Sequence, residues 1–372
     1  MINQMIKGCL KNRFLVIAGF ILIMFTGFSA MRNTPVDAIP DIGALQVIVY
    51  AEWPGRSPKD VEDQVIYPLT TGLMGTPHVK VVRSSSGFGF GLVNMIFKDG
   101  TDYYWARTRV LERLDFAKKG LPPDTTVTLG PDATGLGQIF WYTVEGEGYS
   151  LDRLRSIQDW YVRYQLTSVE GVSEVASVGG FVKQYQVDVD PNKLLAYNVS
   201  ILHVMEAIKL SNIDVGAKVF EEGDIEYVVR GLGFIKTIED IENIVLGAHQ
   251  GVPIRIKDIG SVILGPDFRR GALDKEGKEV TGGVVLMRFG ENPLKVTERI
   301  KAKIEELSVG LPEGVKIVPF YDRTGLINRS INTLRDALAQ EIIITVFVIV
   351  VFLLHFLGSI VIAIVLPIGI LI

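Results

Sequence analysis

Residues 14–31 are eighteen consecutive positions without a charge, and no other stretch limits so strongly what the chain can become. At about 1.5 Å per residue the run covers about 27 Å as a helix, close to the roughly 30 Å of bilayer hydrocarbon. Helix is the one open-chain conformation that satisfies every peptide group there. Lys7, Lys11 and Arg13 precede the run and Arg32 closes it, so the basic bias predicts a cytoplasmic N-terminus and an exterior continuation. The run is longer than the apolar core of about 7–15 residues in a cleavable leader, and Phe28 and Ala30 do not make a small-x-small cleavage pair. A retained anchor is expected. Ahead of it, Ile2, Met5, Ile6, Cys9 and Leu10 recur at three- and four-residue spacing, the pattern of a short helix lying in the cytoplasmic interface.

The other end repeats the constraint. Residues 342–372 contain no Asp, Glu, Lys or Arg, and as one helix they would reach about 46 Å, too long for one untilted crossing. A turn at 355–359, with His355 as an interfacial polar group, divides them into an inward span (337–356) and the start of an outward one (359–372). The sequence is then expected to stop inside a third span, as the N-terminal portion of a polytopic protein. A membrane span normally carries ionisable groups where ions are coupled, and these have essentially none, with Glu341 near an outer end.

Between the spans the chain reads as an exterior α+β body. A strand is predicted over 45–51. Ser57-Pro58-Lys59-Asp60 then opens a helix, with a hydroxyl cap, proline at the first position and an acid at the positive dipole end; Val61, Val65 and Leu69 form its stripe, and Pro68 should bend or end it. Strands over 79–86 and 90–97, a helix over 102–119 with Leu111, Leu114 and Ala117 inward, and a strand over 125–129 complete a split βαβ unit of ferredoxin-like type. Gly87, Gly89 and Gly91 lack the Lys-Ser/Thr pair and following helix of a phosphate loop; a tight hairpin or close sheet approach accounts for them. A second unit begins with a strand over 138–144, a helix over 151–168 with Leu154, Ile157, Tyr161 and Tyr164 on one face, and a strand over 172–178. Its remaining elements return about a hundred residues later. Phe97-Lys98-Asp99-Gly100, a helix and Gly120-Leu121-Pro122 are echoed by Phe289-Gly290-Glu291-Asn292, a helix with Val296, Ile300, Ile304 and Leu307 inward, and Gly310-Leu311-Pro312. The intervening insertion has strand patterns at 185–189, 226–230, 254–256 and 261–264 and a helix from Ser200 with Val204 and Ile208 inward. Its segment Asp214, Val215, Gly216, Ala217, Lys218, Val219, Phe220, Glu221, Glu222 and Gly223 fits either an exposed arm that touches a neighbouring chain or an ordinary surface loop.

Chemistry is sparse. The single cysteine, Cys9, precedes the anchor, so the exterior body has no intrachain disulfide. That body is mildly acidic and has no dense basic tract interleaved with aromatics, which argues against nucleic acid. Histidines 78, 203, 249 and 355 are scattered, and no Gly-x-Ser-x-Gly elbow occurs. Thioethers suit soft monovalent metals, but Met74, Met95, Met205 and Met287 lie in or beside apolar segments without ligand spacing and read as core filling. Asp37 and Asp41 read as turn or capping groups. No catalytic, cofactor-binding or metal-ligating residue is assigned.

The order of these parts, together with Asn33-Thr34-Pro35-Val36-Asp37-Ala38-Ile39-Pro40-Asp41, Tyr67-Pro68-Leu69-Thr70-Thr71, Asp99-Gly100-Thr101-Asp102 with Tyr104-Trp105-Ala106-Arg107, Leu129-Gly130-Pro131-Asp132-Ala133-Thr134-Gly135, Glu174-Val175-Ala176-Ser177-Val178-Gly179-Gly180, Gly265-Pro266 with Arg269-Arg270-Gly271, and Tyr321-Asp322-Arg323, resembles the N-terminal third of resistance–nodulation–division efflux pumps. Within them it looks like the heavy-metal subfamily and its copper/silver exporters. The resemblance implies an interfacial and first membrane helix (1–32), a first porter subdomain (33–132), a second (133–180 with 272–320), a docking subdomain (181–271), a connector (321–336) and the two spans already described. It implies a bacterial inner-membrane homotrimer with residues 33–335 in the periplasm. The intact protein would exchange metal cations for protons, coupled to a periplasmic adaptor and an outer-membrane channel, as a secondary transporter with no bound cofactor. The arm at 214–223 would touch the next protomer. The family's metal-binding methionines and proton-carrying acids belong to segments beyond these residues, so this portion alone is expected to be inactive. Divalent-metal export of zinc, cobalt or nickel, export of organic amphiphiles, and a membrane-anchored assembly module are the alternatives. His355-Phe356-Leu357-Gly358-Ser359 departs from the pattern by lacking the basic residue common in that turn.

Overall fold

The computed structural model describes residues 2–34, 36–39, 42–249, 251–269, 271–353, 358, 360, 361, 365 and 369. The N-terminal apolar pattern forms α1 (Ile2–Lys11) and α2 (Arg13–Asn33). Arg13–Arg32 is, among the described residues, the one helix that meets the length and hydropathy of a membrane crossing. Phe14, Leu15, Ile21 and Phe25 stand exposed around it, as a lipid-facing helix requires, while the Thr26 hydroxyl is satisfied by the Leu22 carbonyl at 3.0 Å.

The first sandwich follows. Strand β1 (Gln46–Glu52) leads to Ser57, whose hydroxyl accepts the Asp60 amide at 3.2 Å and starts α3 (Pro58–Val61). Pro68 does not end this helix. A π turn over Glu62–Ile66 precedes it, with the Tyr67 amide bonding back to Glu62, and α4 (Tyr67–Met74) continues beyond. The wider turn makes room for a proline ring that would otherwise strike the carbonyl four residues back. Strands β2 (Val79–Gly87) and β3 (Phe90–Phe97) form a hairpin in which Gly89 takes φ +72°. A Cβ on Gly91 would lie 2.3 Å from the Ile66 side chain. The glycines therefore serve a tight turn and a close helix approach. Asp102 caps α5 (Tyr103–Ala117), which buries Tyr103, Ala106, Val110 and Leu114; Leu111, expected inward, is 48% exposed. With β4 (Thr126–Leu129) the sheet order is β2-β3-β1-β4. Its inner face carries Val47, Val49, Val93, Met95 and Phe97 against both helical segments.

After a linker, β5 (Gln138–Gly146) is followed by α6 (Leu151–Ile157), a second π turn (Gln158–Val162), α7 (Arg163–Thr167) and β6 (Val172–Gly179). The buried positions are Leu154, Gln158, Val162 and Leu166, whereas Tyr164 is exposed. The predicted face fails after Leu154 because a π turn spaces core-facing residues by four or more, not by 3.6.

The inserted segment comprises β7 (Lys183–Val189), α8 (Pro191–Tyr197), α9 (Ile201–Leu210), β8 (Val215–Glu222), β9 (Ile225–Gly231), α10 (Ile238–Glu242), β10 (Val245–His249), β11 (Val252–Arg255), α11 (Ile256–Ile259) and β12 (Gly260–Pro266). Its own core gathers Val204, Ile241, Ile244, Leu246, Ile254, Ile256, Ile259 and Val262. β7 pairs with β12 over its whole length, from Val189–Gly260 to Lys183–Pro266. The 214–223 segment is not an irregular loop: β8 and β9 pair as an antiparallel hairpin whose described side chains on β9 are all exposed.

The chain returns through β13 (Leu273–Lys275), β14 (Lys278–Met287), α12 (Pro293–Ser308) and β15 (Val315–Asp322). Asn292 caps α12, accepting the amides of Leu294 (3.0 Å) and Lys295 (3.2 Å), and Val296, Ile300, Ile304 and Leu307 are buried as the echo predicts. The second sheet has the order β13-β14-β5-β15, with β6 also on β14. Residues on either side of the insertion thus share one sheet.

The stretch expected as a polar connector is helical: α13 runs unbroken from Thr324–Leu353. Ser330 and Thr333 hydroxyls bond carbonyls four residues back, and after Gly325 no glycine or proline interrupts the segment before its apolar half. The turn expected at 355–359 with His355, apart from residue 358, and most of the third span lie outside the described residues. Met1–Glu145, Asp159–Ser177 and Gly282–Ile372 form one compact unit, and Gly146–Gln158 with Val178–Thr281 form another.

Candidate functional site

Within the first unit, the linker from β4 to β5 is held by side chains of α5 on one side and of Ser173, Arg288 and Phe289 on the other. Arg107 on α5 donates to the carbonyls of Gly130 (2.9 Å) and Pro131 (3.1 Å). Tyr103, one turn earlier, stacks on Phe289 with ring centroids 4.5 Å apart. The Asp132 carboxylate meets Arg288 Nε at 2.9 Å and accepts hydrogen bonds from the hydroxyls of Ser173 and Tyr104. Beside it the amides of Arg288 and Phe289 donate to the carbonyls of Gly171 and Asp132, both at 2.8 Å. Burial, ahead of any charge effect, pushes the Tyr103 and Tyr104 phenols above their ordinary range; at Tyr104 the Asp132 carboxylate adds to it.

A second charged cluster lies between the segment that follows α2 and the start of α13. Arg323, 4% exposed, directly precedes α13. Its Nη1 donates to Asp37 Oδ2 at 2.9 Å, and Nη2 to the Leu136 carbonyl at 2.8 Å. Asp37 Oδ1 accepts the Ala38 amide at 2.7 Å, so this residue is both the turn group expected of it and an ion-pair partner. Adjacent Asp322 pairs with Lys301 and accepts the Thr324 amide at 2.9 Å. Burial works against its charge, but Lys301 and both groups of Thr324 outweigh that and hold its pKa below the ordinary value.

Between these clusters lies a cleft of about 690 Å³, with Asp37, Leu45, Tyr103, Leu136, Met287 and Glu291 in its wall. Two ion pairs therefore border an amphipathic space. Met287 faces it half-buried and Met95 is buried in the core, but Met74 and Met205 are 61% and 62% exposed and fill no core. Among the described residues no group of three or more His, Cys, Asp or Glu side chains converges. The candidate arm residues Asp214 to Gly223 sit elsewhere, on the hairpin of the other unit. There Asp214 Oδ1 accepts the Gly233 and Phe234 amides at 2.8 and 3.1 Å, fixing the hairpin base, and Phe220 stacks on Tyr227 at 5.1 Å. Sequence reasoning did not single out Asp132, Arg288 or Arg323 as a site. The available signal was charge within otherwise motif-like, glycine-rich or aromatic segments.

Residues 5–372 match the model of the AcrB/AcrD/AcrF family. The chain belongs to that family. It is 44% identical over 373 residues to the cation efflux system protein CusA of Escherichia coli (strain K12), covering 99% of this chain and 36% of CusA. It is 37% identical over 380 residues to the cobalt-zinc-cadmium resistance protein CzcA of Cupriavidus metallidurans, covering 100% of this chain and 36% of CzcA. A crystal structure of a heavy metal efflux pump superposes with a TM-score of 0.89 at 32% identity, over 98% of this chain and 37% of that one. The chain is thus a member of the resistance–nodulation–division permeases, a family of secondary transporters, and it spans about 36% of the length of these curated relatives.

Proposed function

We propose that this chain supplies the anchor, two porter subdomains and docking hairpin of an inner-membrane pump that exports Cu(I) or Ag(I) in exchange for protons. The observation that carries this reading is likeness over nearly the whole chain to heavy-metal pumps in both sequence and fold. Greater identity to CusA than to the relative named for cobalt, zinc and cadmium favours the monovalent cations over the divalent ones. In this reading the β2-β3-β1-β4 sheet with its two helical segments is a ferredoxin-like porter subdomain. The interrupted sandwich is its counterpart, and 181–271 is the docking subdomain. The N-terminus is cytoplasmic and 33–335 periplasmic, as the basic residues before α2 favour. The β8–β9 hairpin, apolar and unsupported by its own core, reaches a neighbouring protomer of a homotrimer. A periplasmic adaptor and an outer-membrane channel complete the path.

The test is metal tolerance. The full-length protein with its adaptor and channel, expressed in a strain lacking its own exporters, should raise tolerance to silver and copper. Protection against zinc and cobalt alone would overturn the choice of cation, and no protection against any metal would overturn the transport reading. Residues 1–372 alone should give none.

A further inference from the structure

We propose that Arg323 is a positioning residue that couples the outer ends of two helices, α2 and α13, to the width of the cleft. One guanidinium makes all the attachments. Toward α2 it holds Asp37, which lies four residues after the helix end at Asn33 and is fixed to its own backbone through the Ala38 amide. Toward α13 it needs no linker, because Thr324 begins that helix. Toward the cleft it holds the Leu136 carbonyl at 2.8 Å, and Leu136 and Gly137 are part of the cleft wall.

The wall has little slack at that point. A Cβ on Gly137 would sit 3.0 Å from the Met287 carbonyl oxygen, so the linker rests against the main chain of β14. The residue that follows β14, Arg288, is the one that pairs with Asp132 at the other border of the cleft. A displacement of α2 against α13 therefore pulls on Arg323, then on Leu136 and Gly137, and through their seat on β14 reaches both sandwiches. A planar fork suits this task better than a point charge, since it bonds a carboxylate and a carbonyl in fixed directions at once. The surrounding Lys301–Asp322 pair neutralises the one further acid beside it in sequence.

The inference takes its purpose from the transport reading, but its test does not. Spin labels at Ala44→Cys and Lys295→Cys, in a Cys9→Ser background of the chain in nanodiscs, report the separation of the two sandwiches by pulsed electron resonance. The unaltered pair should give one dominant distance. Asp37→Asn and Arg323→Lys, which keep size or charge while weakening the fork, should raise a second distance from a minor share below about 10% to comparable occupancy. Arg329→Lys, on the exposed side of α13, should leave the distribution unchanged. Wild-type distributions in both altered proteins, with normal circular dichroism, would overturn the proposal by leaving Arg323 a local brace. Loss of the folded state in both would overturn it in favour of a role in folding alone. Intact coupling in a pump that moves no metal would sink the transport reading and leave this one standing.

Discussion

Gly282 stands where the chain, back from its insertion, crosses β5. A Cβ there would lie 2.1 Å from the carbonyl oxygen of Tyr142 and 3.1 Å from the Cα of Thr143. Both obstacles are main chain, so no rotamer change relieves Gly282→Ala; β14 must back away by about an ångström to restore ordinary contact. That displacement weakens about two ladder hydrogen bonds at roughly 1 kcal/mol each and adds overpacking strain of about 1–3 kcal/mol. The reduced freedom of the unfolded alanine chain returns about 0.4–1 kcal/mol. The net expectation is a loss of about 3 kcal/mol, or about 6–9 °C in thermal midpoint for a body of this size. Trp141, with Phe320 and Tyr321 rings at 5.8 and 5.6 Å, reports this sheet by fluorescence. Gly247→Ala, where a Cβ meets nothing within 4 Å, is the control and should change stability by less than about 0.5 kcal/mol. A Gly282→Ala melt within about 1 °C of the unaltered chain would refute the seating of the returning strand on β5.

Ile300→Ala should cost about 2–5 kcal/mol, because Ile300 is fully buried on the core face of α12; a melt shifted no more than that of an exposed-site substitution on the same helix would contradict the burial. Asp152, hydrogen-bonded by Lys183 at 2.7 Å and by Ser150, is pulled down to about 2 from 3.8. A depressed carboxylate stabilises fully above its unfolded value and loses that contribution as pH falls from about 4 through about 2. The pair is partly exposed, so the loss should stay below about 1 kcal/mol, and Asp152→Asn should remove it from the acid limb of a pH–stability curve. If the hairpin is the trimer arm, Val228→Glu should shift the intact protein from trimer to monomer in native mass spectrometry while leaving the thermal midpoint of the monomer unchanged, since Val228 is exposed in the single chain.

Much of the fold was legible because its signals are local. The Ser57 and Asn292 caps, the alternation of β3, and the α12 stripe each depend on neighbours within a few residues. The misplaced face of the second sandwich's first helix and the misjudged effect of Pro68 share one cause. Periodicity assumes 3.6 residues per turn, and each sandwich's first helix contains a π turn at a matching place, Val61-Glu62-Asp63 in one and Ile157-Gln158-Asp159 in the other. Beyond it the inward face moves, so Val162 and Leu166 are buried where Tyr161 and Tyr164 were expected. The same widened turn lets Pro68 stand inside a helix. This shared irregularity is a further echo between the sandwiches, and a stronger one than shared Gly-Leu-Pro triplets, because a costly local geometry repeated at one place in both is harder to obtain by chance.

The cleft was illegible for the opposite reason. Asp37 and Arg323 lie 286 residues apart, and Asp132 meets Ser173 across 41 and Arg288 across more than a hundred. No spacing rule reaches such distances; only the sheet that joins β5 to β14 brings the partners together. Each charge was visible, but only Asp37 had a local reading, as a turn or capping group. Asp37 shows why that explanation was incomplete: one carboxylate oxygen does serve its own backbone, and the other is thereby aimed at Arg323. Turn formation and ion pairing are therefore one arrangement in this residue, which predicts that a substitution sparing the turn but not the charge, such as Asp37→Asn, separates the two roles.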